Sequence, residues 1–374
     1  MQNPKLFLTG ATGIMGSWVL SEALDRGYEP ILLMRDGSPE QAQQRMKAVL
    51  SLAHREHNLD EVRILQGDVG TPRLGLTDAE WDELRQTVGT IIHCAASTTF
   101  SRKKDDLVLQ TNVEGTRHML ELAQGLDAPF YHVSTAYVAG TREGIAREHE
   151  LDKGQSFKNT YERSKFLAEG LVRASMDAGK LHGAVFRPAI IVGAASNGRI
   201  AQFLNFYSFL RLLQGLVQLG GDIGQDVIRF QTSRDTTKNI VPVDWVAEAM
   251  WTAISNDGPS GKTYHLTHPN PVTHGMLVDF ANEYLAQFNC RTRIECVESR
   301  DEPRSEAEQM VADSLYFFKD YLTHEAYYDR TNLDTALKGS APFPTTDTEY
   351  VHKIFQYAAS QDWLNVFESQ LSSA

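Results

Sequence analysis

The sequence predicts an α/β protein built on a doubly wound parallel sheet, followed by a smaller C-terminal lobe. Three observations lead there. Short apolar runs alternate with helix-period segments through the first half of the chain, which is the pattern of parallel strands covered by helices on both faces. A glycine-rich stretch, Thr9-Gly10-Ala11-Thr12-Gly13-Ile14-Met15-Gly16, stands between the first apolar run and the first helical segment. Further on, Tyr161-Glu162-Arg163-Ser164-Lys165 puts a tyrosine and a lysine four residues apart on one face of a helical pattern.

Taken in order, strands are expected at residues 6–9, 31–34, 62–65, 90–94, 130–134 and 184–186, with helices at 16–25, 41–52, 113–123 and 161–176. In the first helix Met15, Val19 and Ala23 recur at i, i+4 and i+8. Strand, glycine turn and helix together form the context in which a glycine motif means dinucleotide binding. One glycine permits the tight turn, one lets backbone N–H groups approach a pyrophosphate, and one lets the helix pack on the strand. The spacing Gly-x-x-Gly-x-x-Gly is one residue wider at its first gap than the usual dehydrogenase fingerprint. Right-handed crossovers then give a Rossmann-type sheet with ligands at the carboxyl ends of its strands.

After Pro188 the rhythm changes. Residues 200–219 read as a long aromatic-rich helix, 239–241, 264–266 and 293–297 as strands, and 244–254 and 274–288 as helices. The division expected is a dinucleotide-binding domain over 1–195, to which 235–260 returns, and a mainly substrate-binding lobe over 196–374. In the 200–219 segment Phe203, Phe206, Tyr207, Leu210, Leu213 and Val217 recur at near-helical spacing. Core packing between lobes, a wall for a long acyl chain and an oligomer surface are the three readings of that stripe.

The 374 residues are 42% hydrophobic and 22% charged, as expected of a globular protein with a sizeable core. A net charge of −12 argues against phosphate-backbone binding to nucleic acid. Cys94, Cys290 and Cys296 lack metal-ligand spacing, so no metal is expected, and a reducing cytoplasmic setting is the default. The chain runs almost directly into its first strand, so no signal peptide is expected. The apolar stretch 200–219 is broken by Gln202, Asn205, Arg211 and Gln214, which rules against a spanning helix.

A free tyrosine, with a pKa near 10, is a poor proton donor or acceptor at neutral pH. The Lys165 ammonium is expected to favour the Tyr161 phenolate and lower that pKa. Cofactor choice follows from the end of the second strand. Arg35 lies 19 residues beyond Gly16, where an acidic side chain would bond an NAD ribose and an arginine would accept a 2′-phosphate. Arg35 therefore favours NADPH. Asp36 could turn inward instead, and Arg45 is either a second phosphate contact or a solvated helix arginine.

These motifs together resemble the extended short-chain dehydrogenase/reductases over about residues 5–255. The resemblance implies a cofactor loop at Gly10, Thr12, Gly13, Ile14 and Gly16, with Asp68 and Val69 after strand three near the adenine. It implies that Ala95 and Ala96 follow strand four at the cofactor, although the family often has an Asn-Ala-Gly type sequence there. Asn112 matches the asparagine that steadies the active-site lysine and its water. Thr135 matches the catalytic hydroxyl, with Ser134 its neighbour, and Tyr161 and Lys165 match the catalytic pair, the lysine also contacting the ribose. Arg187-Pro188 matches the turn that holds the nicotinamide end.

A narrower likeness concerns Gly67-Asp68-Val69-Gly70-Thr71-Pro72-Arg73-Leu74-Gly75-Leu76 and the active-site segment Asn159-Thr160-Tyr161 with Ser164-Lys165-Phe166-Leu167-Ala168-Glu169. Both are similar to thioester reductase domains and fatty acyl-CoA reductases of the male-sterility type. That likeness implies NADPH-dependent reduction of an acyl thioester to an aldehyde, with further reduction to an alcohol left open. No adenylation or carrier domain is expected within the 374 residues, so acyl-CoA or an acyl carrier protein would deliver the substrate. Arg102-Lys103-Lys104 reads either as a recruiting site for such a carrier or as a solvated loop neutralised by Asp105 and Asp106. Two other functions share the core motifs: a reductase or epimerase of a nucleotide sugar or hydroxysteroid, and a non-catalytic NADP(H) sensor.

Overall fold

The computed structural model describes residues 4–35, 39–53, 59, 62–204, 206–218, 227–299, 304–315, 320–322 and 325–361. Asp36, Asn205 and Leu219 lie outside the described residues.

The centre is a seven-stranded sheet: β1 (Lys5–Thr9), β2 (Glu29–Met34), β3 (Arg63–Gln66), β4 (Thr90–His93), β5 (Phe130–Val133), β6 (Gly183–Pro188) and β7 (Ser260–Leu266). Their order is β7-β6-β5-β4-β1-β2-β3, and every neighbouring pair is parallel. The order reverses between β1 and β4, which opens the crevice at their carboxyl ends where a doubly wound sheet binds ligands.

Side chains alternate across the sheet. Leu6 and Leu8 join one core, with Trp18 and Val19 of helix Ile14–Asp25, Met46 of helix Pro39–Leu50 and Val246 and Met250 of helix Val243–Asp257. Phe7 faces the opposite core, with Trp81 of helix Asp78–Thr87, Met119 of helix Gly115–Ala123 and Val172 of helix Thr160–Asp177. Burial on both faces explains why the central strands read as short continuous apolar runs. Trp251 ties the late helix to the early one, its Nε1 donating to the Val19 carbonyl at 3.1 Å.

Beyond the sheet, helices Tyr207–Gln218, His274–Gln287 and Thr348–Ser360 share a second core, including Tyr207, Leu210, Phe280, Tyr284, Ile354 and Phe355. A parallel pair, Val227–Gln231 with Arg293–Val297, lies against it. This cluster agrees with the packing reading of the aromatic stripe, since Phe203, Phe206, Tyr207, Leu210 and Leu213 are all buried.

Three details differ from the expectations. The helix expected from 200 starts only at Tyr207, because Ile200 and Phe203 reach the same core from irregular chain. Apolar spacing alone does not distinguish the two. The strand expected at 239–241 appears as Ile240–Pro242 and pairs with Ile190–Val192 outside the central sheet. Residues 264–266, expected with the later strands, extend into β7 at the sheet edge. Among the described residues, no helix is long and apolar enough to cross a membrane.

Candidate active site

The glycine loop lies between the ends of β1 and β4. Gly10 has φ +75°, a conformation that favours glycine, and a Cβ there would lie 2.7 Å from the Ala95 nitrogen. A Cβ on Gly16 would lie 2.0 Å from the Gly10 carbonyl oxygen, so helix Ile14–Asp25 can start only where that residue lacks a side chain. The Gly13 N–H donates to that same carbonyl at 2.9 Å. Gly13 is the helix N-cap and has no side chain to satisfy the first helical N–H groups, which leaves a cradle for an anion beside Thr12 and Ile14. Thr9 Oγ1 holds the opposite wall, accepting from the Ala95 N–H at 3.2 Å and meeting His93 Nδ1 at 2.7 Å. Ala95 and Ala96 continue from β4 along that wall, both partly exposed.

Other expected cofactor contacts are more dispersed. Arg35 is exposed directly after β2, and Arg45 is exposed on the next helix. Asp68 turns its carboxylate onto its own loop, where Oδ1 accepts from the Gly70 N–H at 2.7 Å. The Val69 side chain is buried against Gly115, so only its backbone could serve a nucleotide.

The second half of the site is built on helix Thr160–Asp177. Its N-cap Asn159 accepts from the Glu162 N–H at 3.0 Å, and Glu162 Oε2 accepts from the Lys158 N–H at 2.9 Å. This capped first turn carries Tyr161, with the Thr135 side chain near enough to its phenol to favour the phenolate. Thr135 follows β5 and also donates to the Pro188 carbonyl at 3.3 Å. One turn along, Lys165 is buried and donates from Nζ to the Val133 carbonyl at 2.7 Å. Asn112 sits in a π-helical turn, Gln110–Glu114, of the kind that marks functional sites. It donates to Ser164 Oγ at 2.8 Å and to the Ser97 carbonyl at 3.0 Å, and accepts from the Ser97 N–H at 2.7 Å. Thr135, Tyr161, Lys165 and Asn112 are thus joined through β5 and this helix, although Asn112 reaches the helix through Ser164 rather than through the lysine.

Electrostatics correct one expectation. The Tyr161 phenol is pushed up to about 12, not lowered, because burial outweighs the effect of the Thr135 side chain and the Glu162 charge adds to the rise. The lysine ammonium is turned to Val133 instead. Burial draws Lys165 down to about 8, against the nearby Glu169 carboxylate, which supports its charge. His93 and His132 are held neutral by burial and by the Lys165 charge, and burial raises the Cys94 thiol to about 12.

Arg187 is a second correction. Its side chain is committed to the interior: Nη2 pairs with Glu169 Oε1 at 2.6 Å and donates to the Glu150 carbonyl at 2.7 Å, while Nη1 meets His265 Nε2 at 3.1 Å. Any contact of this turn with a nicotinamide is therefore left to the backbone near Pro188.

Glu169 is the residue the sequence reading missed. It accepts from Ser134 Oγ at 2.7 Å as well as from Arg187 and Arg173, so Ser134 is tied back and Thr135 is the hydroxyl left at Tyr161. Its signal was the continued spacing Tyr161, Lys165, Glu169 on one helix face. Tyr321 and Glu325, which also reach this region, have no such signal. Among the described residues, no group of three His, Cys, Asp or Glu is placed to hold a metal ion.

Fold and glycine loop define a Rossmann-type NAD(P)-binding protein of the extended short-chain dehydrogenase/reductase class. Within it, the model of the male sterility protein family, an NAD-binding family, matches residues 8–250, and the chain belongs to that family. The chain is 30% identical over 283 residues to the nonribosomal peptide synthetase asaC of Aspergillus flavus, a match covering 71% of this chain and 26% of that protein. It is 29% identical over 306 residues to the L-2-aminoadipate reductase large subunit of Candida glabrata, covering 74% and 21%. It thus spans about a quarter of the length of these curated relatives. In fold it is similar to the terminal R domain of the myxalamid PKS-NRPS biosynthetic pathway, with TM-score 0.78, 24% identity and coverage of 97% of this chain and 92% of that one.

The Glu169 network yields a stability prediction. Burial opposes ionisation, but the Arg187 and Arg173 charges and their hydrogen bonds draw the carboxyl down to about 2. Because the folded pKa lies below the unfolded one, this stabilisation is present above about pH 4.5 and is lost as pH falls towards 2. Glu169→Gln strands the buried Arg187 and the partly buried Arg173 and should cost about 3–5 kcal/mol at pH 7. In urea unfolding, the gap between wild type and variant should narrow on acidification over that window; a constant gap would show that the charge contributes nothing.

Proposed function

We propose that this protein reduces an acyl thioester with NADPH. The observation that carries the reading is the placement of Thr135, Tyr161 and Lys165 at the carboxyl end of β5, on a sheet whose glycine loop suits a dinucleotide. The cradle at Gly10, Gly13 and Gly16 would hold the pyrophosphate, Ala95 and Ala96 would line the path beyond it, and the Val69 N–H would meet the adenine on a loop that Asp68 holds through Gly70, Thr71 and Leu74. When bound, the dinucleotide supplies hydride to the thioester carbonyl carbon.

Thr135 Oγ1 and the Tyr161 hydroxyl are placed to hold the carbonyl oxygen and stabilise its developing negative charge. A phenol raised to about 12 keeps its proton at neutral pH, which suits the acid in this direction. Tyr161 delivers that proton to the oxygen, giving a hemithioacetal. Lys165, mostly charged at pH 7, would stabilise the phenolate left behind and contact the ribose. Asn112 would steady that helix turn through Ser164. The C–S bond then breaks, the sulfur leaves as a thiol, and an aldehyde remains.

The test is a panel of acyl-CoA and carrier-bound thioesters with NADPH, with products identified by mass. Tyr161→Phe removes the proton donor and keeps the ring, so kcat should fall about 10²–10⁴-fold with NADPH affinity little changed. Near-normal turnover by this variant would remove the mechanism.

NADPH over NADH is proposed from Arg35, exposed at the end of β2 where a 2′-phosphate would lie. A charge-assisted hydrogen bond of about 1.5–3 kcal/mol predicts that Arg35→Ala weakens NADPH binding roughly tenfold or more and leaves NADH almost unchanged. Preference of the wild type for NADH in a binding titration would transfer the assignment to another residue.

A carrier is proposed to dock by charge. Arg102–Lys104 forms a short 3-10 turn after β4, with Arg102 and Lys103 exposed. Replacing Arg102, Lys103 and Lys104 with glutamates should raise KM for the phosphate-bearing thioester at low salt and spare a free aldehyde, the effect fading over a Debye length of about 8–10 Å as salt rises. An equal loss on both substrates would return the run to an ordinary surface loop.

A further inference from the structure

Three aromatic side chains from distant parts of the chain meet beside Tyr161. The Phe100 ring lies 6.0 Å from the Tyr161 ring, centroid to centroid. Tyr321 stacks on Phe100 at 5.7 Å with 9° between planes, and Tyr137 meets Tyr321 edge-on at 5.6 Å. Both phenol hydroxyls are turned to carboxylates. Tyr321 donates to Glu162 Oε1 at 2.6 Å and accepts from Asn159 Nδ2 at 2.8 Å, while Tyr137 donates to Glu325 Oε2 at 2.9 Å. Glu325 also accepts from the Asn239 N–H and lies 3.5 Å from Lys238 Nζ. The Lys158 ammonium lies 4.6 Å from the Tyr321 ring centroid and is held by that ring, and the other charges and polar ends are turned to one another, so the cluster offers ring surface beside the reacting phenol. Phe100, Tyr161 and Tyr321 all stay partly exposed.

We infer that Phe100 and Tyr321 form the contact surface for the acyl group next to the reacting carbonyl, and that this surface selects a neutral, apolar acyl group over one carrying a charge. The inference rests on the thioester-reduction reading and adds a substrate class to it. The physical reason is desolvation. An aryl or alkyl group gains contact with the two rings, whereas a carboxylate or ammonium in the same place loses water and meets charges that already have partners, Lys238 beside Glu325 and Lys158 over the Tyr321 ring. Tyr321 is the informative residue. It comes from a segment about 160 positions beyond Tyr161 and is anchored to the first turn of the catalytic helix by Asn159 and Glu162.

The test uses the full chain and two non-reducible thioethers, S-(3-phenylpropyl)-coenzyme A and S-(3-carboxypropyl)-coenzyme A, titrated by calorimetry. Kinetics on 3-phenylpropionyl-CoA and succinyl-CoA with NADPH run beside them. The phenyl probe should bind at least tenfold more tightly. Tyr321→Ala should weaken the phenyl probe about tenfold and leave the carboxylate probe nearly unchanged, while Tyr321→Phe, which keeps the ring, should retain the preference. Phe100→Ala, from the other half of the stack, should repeat the selective loss. Equal affinity of the wild type for both probes, no binding of either, or an equal loss on both in the alanine variants overturns the inference. Selective binding of the phenyl probe with no reduction of either thioester would instead sink the reductase reading and leave the aromatic surface standing.

Discussion

The buried Glu169 carboxylate holds together the parts on which the site depends. It sits one turn beyond Lys165 and reaches Arg187 on β6, Arg173 on its own helix and Ser134 at the end of β5. Through Arg173 the network extends to the backbone of Glu148 and His149 and to Thr263 on β7. A charge buried this deeply is costly unless fully paired, so its partners have little freedom to move. The helix bearing Tyr161 and Lys165 is thereby fixed in rotation against β5, β6 and β7. That rotation decides that Thr135, and not Ser134, meets the phenol.

A second constraint acts at the other side of the crevice and is steric. Gly10 and Gly16 let strand, turn and helix approach so closely that a single Cβ would strike backbone. The two constraints are complementary: close approach shapes a pocket for an anionic, extended ligand, and the ion pair aims a proton donor towards its far end. Burial adjusts the chemistry between them. It raises the Tyr161 phenol to about 12 and lowers the Lys165 amine to about 8, which drives apart two groups that titrate close together when free and leaves the phenol the tighter holder of its proton.

The later part of the chain contributes to the sheet and to the site together. Helix Val243–Asp257 packs on helix Ile14–Asp25 through Trp251, and β7 completes the sheet edge beside β6. Further on, Tyr321 and Glu325 reach Glu162, Asn159 and Tyr137, so the surroundings of Tyr161 are assembled from segments more than 150 positions apart.

The sequence by itself determined the sheet's strands, the glycine loop and the Tyr161–Lys165 pair, because these follow from local rules: apolar runs buried on both faces, glycine where a Cβ cannot fit, and side chains four apart on a helix. Tertiary structure alone decided what those residues face. Arg187 reads in the sequence as part of a cofactor turn, but the carboxylate waiting at Glu169 takes its guanidinium into the core. Lys165 reads as an activator of Tyr161, but the Val133 carbonyl takes its proton donor and burial governs both pKa values. Tyr321 and Glu325 carry no local pattern at all, since their meaning lies in partners more than 150 positions away. Spacing along a helix or strand records which face a residue occupies. The free energy of a buried charge or phenol depends on every group packed around it, and those groups are brought together only by the fold.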